Sequence, residues 1–111
     1  RPGTRTATMR ETGRHPWETG AMAQLCDAIF ALESTDEIER FLRDLCTIGE
    51  LEALAHRWQV ARLVHEGMPY AEVAERTGGS TTTVTRVAHW LHHGEGGYAN
   101  AIRRARAAGV A

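Results

Sequence analysis

Apolar residues recur at intervals of three and four positions from residue 22 almost to the end of the chain. This spacing places the apolar side chains on one face of an α-helix, so the pattern predicts an all-α fold. The first face consists of Met22, Leu25, Cys26, Ile29, Phe30 and Leu32. The next two consist of Ile38, Phe41, Leu42 and Leu45, and of Leu51, Leu54, Trp58, Ala61, Leu63 and Val64.

The residues between these faces predict where the helices begin and end. Ser34 and Glu37 have the spacing of a capping box before the second helix, and Thr47 and Glu50 have it before the third. The third helix is expected to end just before Gly67. Shorter helices are predicted from Pro69 to about Thr77, from a Ser80 cap to about His92, and from Tyr98 to about Ala108. The sequence therefore predicts about six helices.

Residues 1–20 have a different composition from the rest of the chain. They contain few aliphatic residues, two prolines, three glycines and no helical period. Such a segment buries too little apolar surface to stay ordered, so we expect residues 1–20 to be a disordered tail and residues 21–111 to be one domain. The chain begins with Arg1, and Met9 and Met22 are alternative natural starts, which leaves open whether residues 1–8 are native.

Charge is distributed unevenly along the chain. The net charge is −1, and all 13 basic residues are arginines. Residues 22–56 carry eight acidic side chains and two arginines, whereas residues 57–111 carry four acidic side chains and seven arginines. A nucleic-acid-binding face is therefore expected in the second half.

The composition also bears on the class of protein and its compartment. The apolar runs are too short to span a membrane, and the N-terminus lacks the apolar core of a signal peptide. Cys26 and Cys46 are far apart and do not form a CxxC motif. We therefore expect reduced core thiols in a cytoplasmic protein.

The segment YAEVAERTGGSTTTVTRV, residues 70–87, has the pattern of a helix-turn-helix. Two short helices joined by a tight turn must bury small apolar residues against each other. Ala74 lies in the middle of the first helix, Gly78 in the turn, and Val84 one turn into the second helix. Val73 and Val87 supply the flanking core contacts. This pattern predicts a DNA-binding unit.

The first turns of the second helix are rich in threonine, which is a poor helix former. Thr81, Thr82, Thr83 and Thr85 are followed by Arg86. A DNA contact explains threonine at these positions, because its hydroxyl and methyl groups can contact base edges and phosphates in a major groove. Backbone amides at the N-terminus of the helix add affinity for phosphate.

Residues 22–104 resemble the bacterial Trp repressor superfamily, and most closely its YerC/YecD branch. The resemblance lies in the LCT at Leu45–Thr47, the ELEALAxR pattern at Glu50–Arg57, the helix-turn-helix, and the glycine-rich stretch that ends at Tyr98. It implies a transcriptional regulator that forms an intertwined homodimer. Each subunit would present one helix-turn-helix to a half-site of a near-palindromic operator in double-stranded DNA.

The resemblance also suggests which residues contact DNA. Tyr70 and Ala71 stand where the family touches the DNA backbone and bases, and Arg76 is a candidate phosphate contact. An arginine at that helix end is also explained by the helix dipole alone. The full set of candidate DNA-binding residues is Tyr70, Ala71, Arg76, Ser80, Thr81, Thr82, Thr83, Thr85 and Arg86.

A further set of positions matches the pocket in which the Trp repressor binds its corepressor, L-tryptophan. The matching residues are Thr47, Arg57 and Arg86, and the two arginines can hold either a carboxylate or a DNA phosphate. However, Val87 and Trp90 stand where the repressor has glycine and serine. Because the Trp90 ring is able to occupy the space of the indole, we expect a regulator that does not use L-tryptophan.

The sequence bears on three other functions. His89, His92 and His93, with Glu95 as a further ligand, suggest a metal-responsive regulator, although histidines at a helix end are also explained by the dipole. A helical protein-interaction module is the second alternative. An enzyme is not expected, because no catalytic constellation or phosphate-binding loop is evident and no cofactor is implied. Trp58 and Trp90 lie within apolar periods and are expected in the core or in a dimer interface.

Overall fold

The computed structural model describes residues 9–110, and this part of the chain contains six α-helices. They are α1 (Gly20–Ala31), α2 (Thr35–Leu45), α3 (Ile48–His65), α4 (Tyr70–Thr77), α5 (Thr81–His93) and α6 (Gly97–Ala107). The prediction of an all-α fold with about six helices is therefore confirmed. None of these helices is long and apolar enough to cross a membrane. The chain divides into two compact units. The first ends at Thr47, and the second begins at Ile48.

The first unit contains α1, α2 and the segment that precedes them. Ser34 caps α2 as predicted, because its hydroxyl oxygen accepts the Glu37 N–H at 3.1 Å. The carboxylate of Glu37 in turn accepts the Glu33 N–H at 3.0 Å. In a standard capping box this carboxylate accepts the N–H of the capping residue itself, which here is Ser34. Ala23 is the one buried residue of α1, and α2 has no buried residue.

The segment before α1 is held by one arginine. Arg10 forms an ion pair with Asp27 at 2.9 Å, and its guanidinium also donates to the carbonyl oxygen of Ala23 at 3.2 Å. The backbone N–H of Arg10 donates to the same carboxylate at 3.1 Å. Residues 1–8 lie outside the described residues, so the disorder expected for residues 1–20 stays a prediction, while α1 already begins at Gly20.

The second unit has the larger core. α3, α4, α5 and α6 pack around a cluster in which Val60, Val73 and Val84 are fully buried. The remaining buried members are Ala61, Val64, Ala74, Val87, Ala88, Leu91 and Ile102. The burial predicted for Val73, Ala74, Val84 and Val87 is thus confirmed.

The end of α3 shows why the chain turns sharply into the helix-turn-helix. Gly67 has a φ of 91°, a conformation that glycine adopts without a steric penalty. Its N–H donates to the Val64 carbonyl at 2.9 Å, and the Met68 N–H donates to the Leu63 carbonyl at 3.2 Å. These two bonds form a Schellman motif, which fixes the point at which the chain leaves α3 and enters α4.

The prediction that both cysteines are core thiols is wrong. Cys26 is exposed and Cys46 is half-buried, so neither is a core thiol within one chain, and neither forms a disulfide there. Trp58 packs against the core of the second unit, whereas Trp90 is 61% exposed in the single chain, so its place in a dimer interface stays a prediction. The helical period identifies the apolar face correctly in each case, but a period does not show whether the same chain covers that face.

Candidate nucleic-acid interface

The helix-turn-helix is built around two consecutive glycines. α4 ends at Thr77, and Gly78 follows with a φ of 75°, which is the left-handed conformation. The N–H groups of Gly78 and Gly79 both donate to the Ala74 carbonyl. These two hydrogen bonds tie the turn to the buried residue Ala74 of α4. They therefore set the direction in which α5 leaves the turn.

Ser80 caps α5 as predicted. Its hydroxyl oxygen accepts the Thr83 N–H at 3.2 Å, and the hydroxyl groups of Ser80 and Thr83 lie 3.2 Å apart. Thr83 is half-buried. These two side chains therefore stabilise the start of α5, and they are less available to DNA than the sequence suggested.

α5 has one buried face and one exposed face. Val84, Val87, Ala88 and Leu91 recur at helical spacing and lie in the core. The opposite face is exposed along the whole helix, and its members are Thr81, Thr82, Thr85, Arg86, His89, His92 and His93. In DNA-binding helix-turn-helix proteins, it is the second helix that enters the major groove.

The threonines on this strip are not equivalent. The hydroxyl of Thr85 donates to the carbonyl oxygen of Thr81 at 2.9 Å, a bond within the helix. Thr85 therefore keeps its methyl group and the lone pairs of its oxygen, but its single donor is already used. Thr81 and Thr82 lie exposed in the first turn of α5.

The candidate contacts on α4 lie at its two ends. Tyr70 and Ala71 are exposed in the first turn, and Arg76 is exposed in the last. Arg76 lies 3.7 Å from Glu72, one helical turn earlier. An exposed pair of this kind contributes little to stability, so Arg76 is able to exchange the carboxylate for a phosphate at small cost.

A cavity of about 630 Å³ lies among α3, α5 and α6. Arg57 and Arg86 both line it, so the structure brings together the two arginines that the sequence analysis assigned to an effector or a phosphate. The lining also includes His56 and Thr83, and no carboxylate is among the described residues of the lining. Two guanidinium groups in one cavity suit an anion such as a carboxylate or a phosphate.

The remaining residues of the predicted effector site have different positions. Thr47 is exposed and directly precedes α3, at the boundary of the two units. Trp90, Tyr98 and the buried Val87 also line the cavity. The competition of Trp90 with an indole stays a prediction.

The three histidines at the end of α5 do not assemble a complete metal site. The rings of His89 and His93 have centroids 5.2 Å apart. Within residues 9–110, no group of three or more histidine, cysteine or carboxylate side chains is placed to hold a metal ion. For a metal-responsive regulator, this surface therefore offers two neighbouring histidines and no third ligand.

One residue of this region was missed by the sequence analysis. His56 lies on α3, lines the cavity, and has its Nε2 atom 3.2 Å from the hydroxyl oxygen of Thr77. Its ring also lies directly against Gly79. A histidine in the middle of a helix has no spacing signal of its own, because its partners come from residues more than 20 positions later.

Comparison with known proteins decides the family. The family model for the Trp repressor protein matches residues 20–106, a range that includes all six helices except the last residue of α6. The chain belongs to the Trp repressor family. This is a family of regulators and not of enzymes. The resemblance identified from the sequence is therefore confirmed.

Individual members of the family are similar over most of their length. YerC of Bacillus subtilis (strain 168) is 41% identical over 83 residues, which cover 75% of this chain and 80% of YerC. A crystal structure of a TrpR-like protein from Eubacterium eligens ATCC 27750 is 41% identical, with a TM-score of 0.73, and the match covers 78% of this chain and 89% of that one. A crystal structure from Staphylococcus aureus is 37% identical with the same TM-score and covers 78% and 86% of the two chains.

The cap of α5 gives a test of how this interface is stabilised. We expect Ser80→Ala to lower the free energy of unfolding by about 1 kcal/mol, because the Thr83 N–H loses its acceptor. Ser80→Asp should retain the stability, since a carboxylate also caps a helix. Urea unfolding at one fixed protein concentration measures the effect, with Thr82→Ala as the control in the same turn. Equal stability of Ser80→Ala and Thr82→Ala would contradict the role of the cap.

Proposed function

We propose that the protein is a sequence-specific DNA-binding transcriptional regulator, acting as a repressor. The observation that carries this proposal is the exposed face of α5, which begins at a capped N-terminus and continues through Thr81, Thr82, Thr85 and Arg86. Membership of the Trp repressor family supports the same function. The excess of arginine over acidic residues in residues 57–111 favours an anionic partner.

In this proposal α5 enters the major groove of double-stranded DNA. Thr81, Thr82 and Thr85 contact base edges, and Arg86 contacts a phosphate at the edge of the groove. Tyr70, Ala71 and Arg76 contact the DNA backbone from α4. Ser80 and Thr83 act mainly by fixing the start of α5, where backbone N–H groups also favour phosphate.

The regulator acts as a homodimer. In the first unit, the apolar faces of α1 and α2 are exposed in the single chain, with Leu25 at 37%, Ile29 at 39% and Phe30 at 66%. α2 has no buried residue, although its apolar residues lie on one face. A second copy that covers these faces removes a large apolar area from water, and a two-fold axis then presents two α5 helices to the half-sites of a palindrome.

The protein acts without L-tryptophan as corepressor. Trp90 and Val87 line the cavity at the positions where the resemblance to the Trp repressor gives a smaller side chain. The cavity that remains, with Arg57 and Arg86 in its wall, favours a second candidate function, in which a different anionic effector regulates DNA binding. The regulator is expected to be cytoplasmic, as DNA binding in a bacterium requires.

Selection of DNA tests the proposal as a whole. Sheared bacterial genomic DNA is incubated with the protein at near-physiological salt, with and without L-tryptophan, and the bound fragments are sequenced. We expect one short palindrome to be enriched equally under both conditions. Enrichment only with L-tryptophan would contradict the corepressor-independent function. No enrichment under either condition would contradict the DNA-binding function and favour a protein-interaction module.

The role of Arg86 gives a second test. We expect Arg86→Ala to weaken binding to the selected operator by roughly 1–3 kcal/mol, because a charge-assisted contact is lost. The slope of log affinity against log salt concentration should fall by about 1 if the partner is a phosphate. Arg106→Ala, which removes one positive charge from the exposed end of α6, is the matched control in a fluorescence anisotropy titration. Equal affinities of the two variants would refute the contact.

The homodimer is tested by sedimentation equilibrium. The mass is expected to be twice the 12.3 kDa of one chain. Ile29→Asp should shift the protein towards the monomer and weaken operator binding, because it places a carboxylate on the apolar face of α1. Gln24→Asp adds the same side chain to the same helix at an exposed polar position and should leave the mass unchanged. A monomeric wild-type protein that still binds the palindrome would exclude the proposed dimer.

A further inference from the structure

His56 connects α3 to both sides of the turn in the helix-turn-helix. Its Nε2 atom lies 3.2 Å from the Thr77 hydroxyl oxygen, at the last residue of α4. The Thr77 hydroxyl donates its only hydrogen to the Val73 carbonyl at 2.8 Å. The Thr77 oxygen is therefore an acceptor towards His56, and His56 must carry a hydrogen on Nε2 and donate. The result is a directed chain of two hydrogen bonds from α3 to the fully buried Val73.

The ring of His56 also occupies the space beside Gly79. A Cβ atom at Gly79 would lie 2.6 Å from Cε1 and 2.7 Å from Nε2 of His56, which is closer than non-bonded carbon and nitrogen atoms approach. The φ of Gly79 is outside the left-handed region, in contrast to that of Gly78. A side chain at position 79 would therefore have to displace the His56 ring, whereas the backbone conformation itself does not require glycine there.

These two contacts restrain the turn on both sides. The hydrogen bond holds the end of α4, and the packing of the ring holds the residue that precedes the Ser80 cap. α5 begins two residues after Gly79, so a shift of the turn changes the direction of the whole exposed face of α5. A displacement of about 1 Å at a positioning contact is enough to impair a function that depends on geometry.

We propose that His56 is a positioning residue for α5, which fixes the helix-turn-helix in its DNA-binding arrangement with contacts supplied by the chain itself. This inference rests on the proposed function, and it gives a physical reason why no bound corepressor is needed to orient α5. His56 itself does not contact DNA in this arrangement. Its effect is transmitted through Thr77 and Gly79.

Operator binding by five variants of the full-length chain tests the proposal. His56→Ala should lower affinity for the selected operator by about three- to tenfold, as expected from the loss of one hydrogen bond and its packing. Affinity for an unrelated duplex should change by less than about twofold, because non-specific binding depends on charge. His56→Gln should restore most of the operator affinity, since its amide N–H₂ can donate to Thr77. His65→Ala, the same substitution at an exposed position of α3, is the matched control.

Gly79→Ala provides the decisive comparison. In the wild-type background it should lower operator affinity, because the new methyl group displaces the His56 ring. In the His56→Ala background the same substitution should have little further effect, since the space is already empty. Equal effects of Gly79→Ala in both backgrounds would overturn the proposal, as would a His56→Ala variant that binds like His65→Ala.

Hydrogen exchange separates this inference from the proposed function. The Gly79 amide, which donates to Ala74 at 3.1 Å, should exchange faster in His56→Ala than in His65→Ala, while the amides of α6 remain unchanged. This measurement needs no DNA. If the wild-type protein binds no operator, the proposed function fails, and exchange still shows whether His56 fixes the turn. If the Gly79 amide is equally protected in both variants, the inference fails whether or not DNA is bound.

Discussion

The mutual packing of Val60, Val73 and Val84 is the constraint on which the rest of the second unit depends. Each of these side chains is fully buried, and each belongs to a different one of the helices α3, α4 and α5. A short helix such as α4 has little stability alone, so its position comes from this contact and not from its own propensity. With the three helices fixed in this way, the left-handed turn after α4 favours glycine at position 78, and the exposed face of α5 follows from the burial of its other face.

Local signals in the sequence predict this arrangement well. The end of α3 before Gly67, the turn at Gly78, the cap at Ser80 and the burial of Val84 each depend on residues within one or two helical turns, and each was predicted. Contacts between distant residues carry no such signal. His56 and Thr77 are 21 positions apart, and nothing in the spacing of either indicates the other. The convergence of Arg57 and Arg86 on one cavity was expected only from the resemblance to a known family.

The two units differ in how completely a single chain buries their apolar side chains. The second unit encloses its own core, whereas the apolar side chains of α1 and α2 remain largely exposed. Cys26 illustrates the difference, because its helical period predicts burial and the single chain leaves it exposed. A helical period of apolar residues predicts that one face of the helix is buried in the functional state. It does not record whether the covering surface comes from the same chain or from a second copy, as we propose here.

In the proposed complex, in which α5 enters the major groove, the hydrogen bond from Thr85 to the backbone of Thr81 limits which bases Thr85 can recognise. With its hydrogen used inside the helix, the hydroxyl oxygen only accepts, so it suits the exocyclic amino group of adenine or cytosine. The methyl group adds an apolar contact that suits the C5-methyl of thymine. Guanine presents two acceptors in the major groove and finds no donor here. An internal bond of the helix would thus exclude one of the four bases from the operator position that faces Thr85.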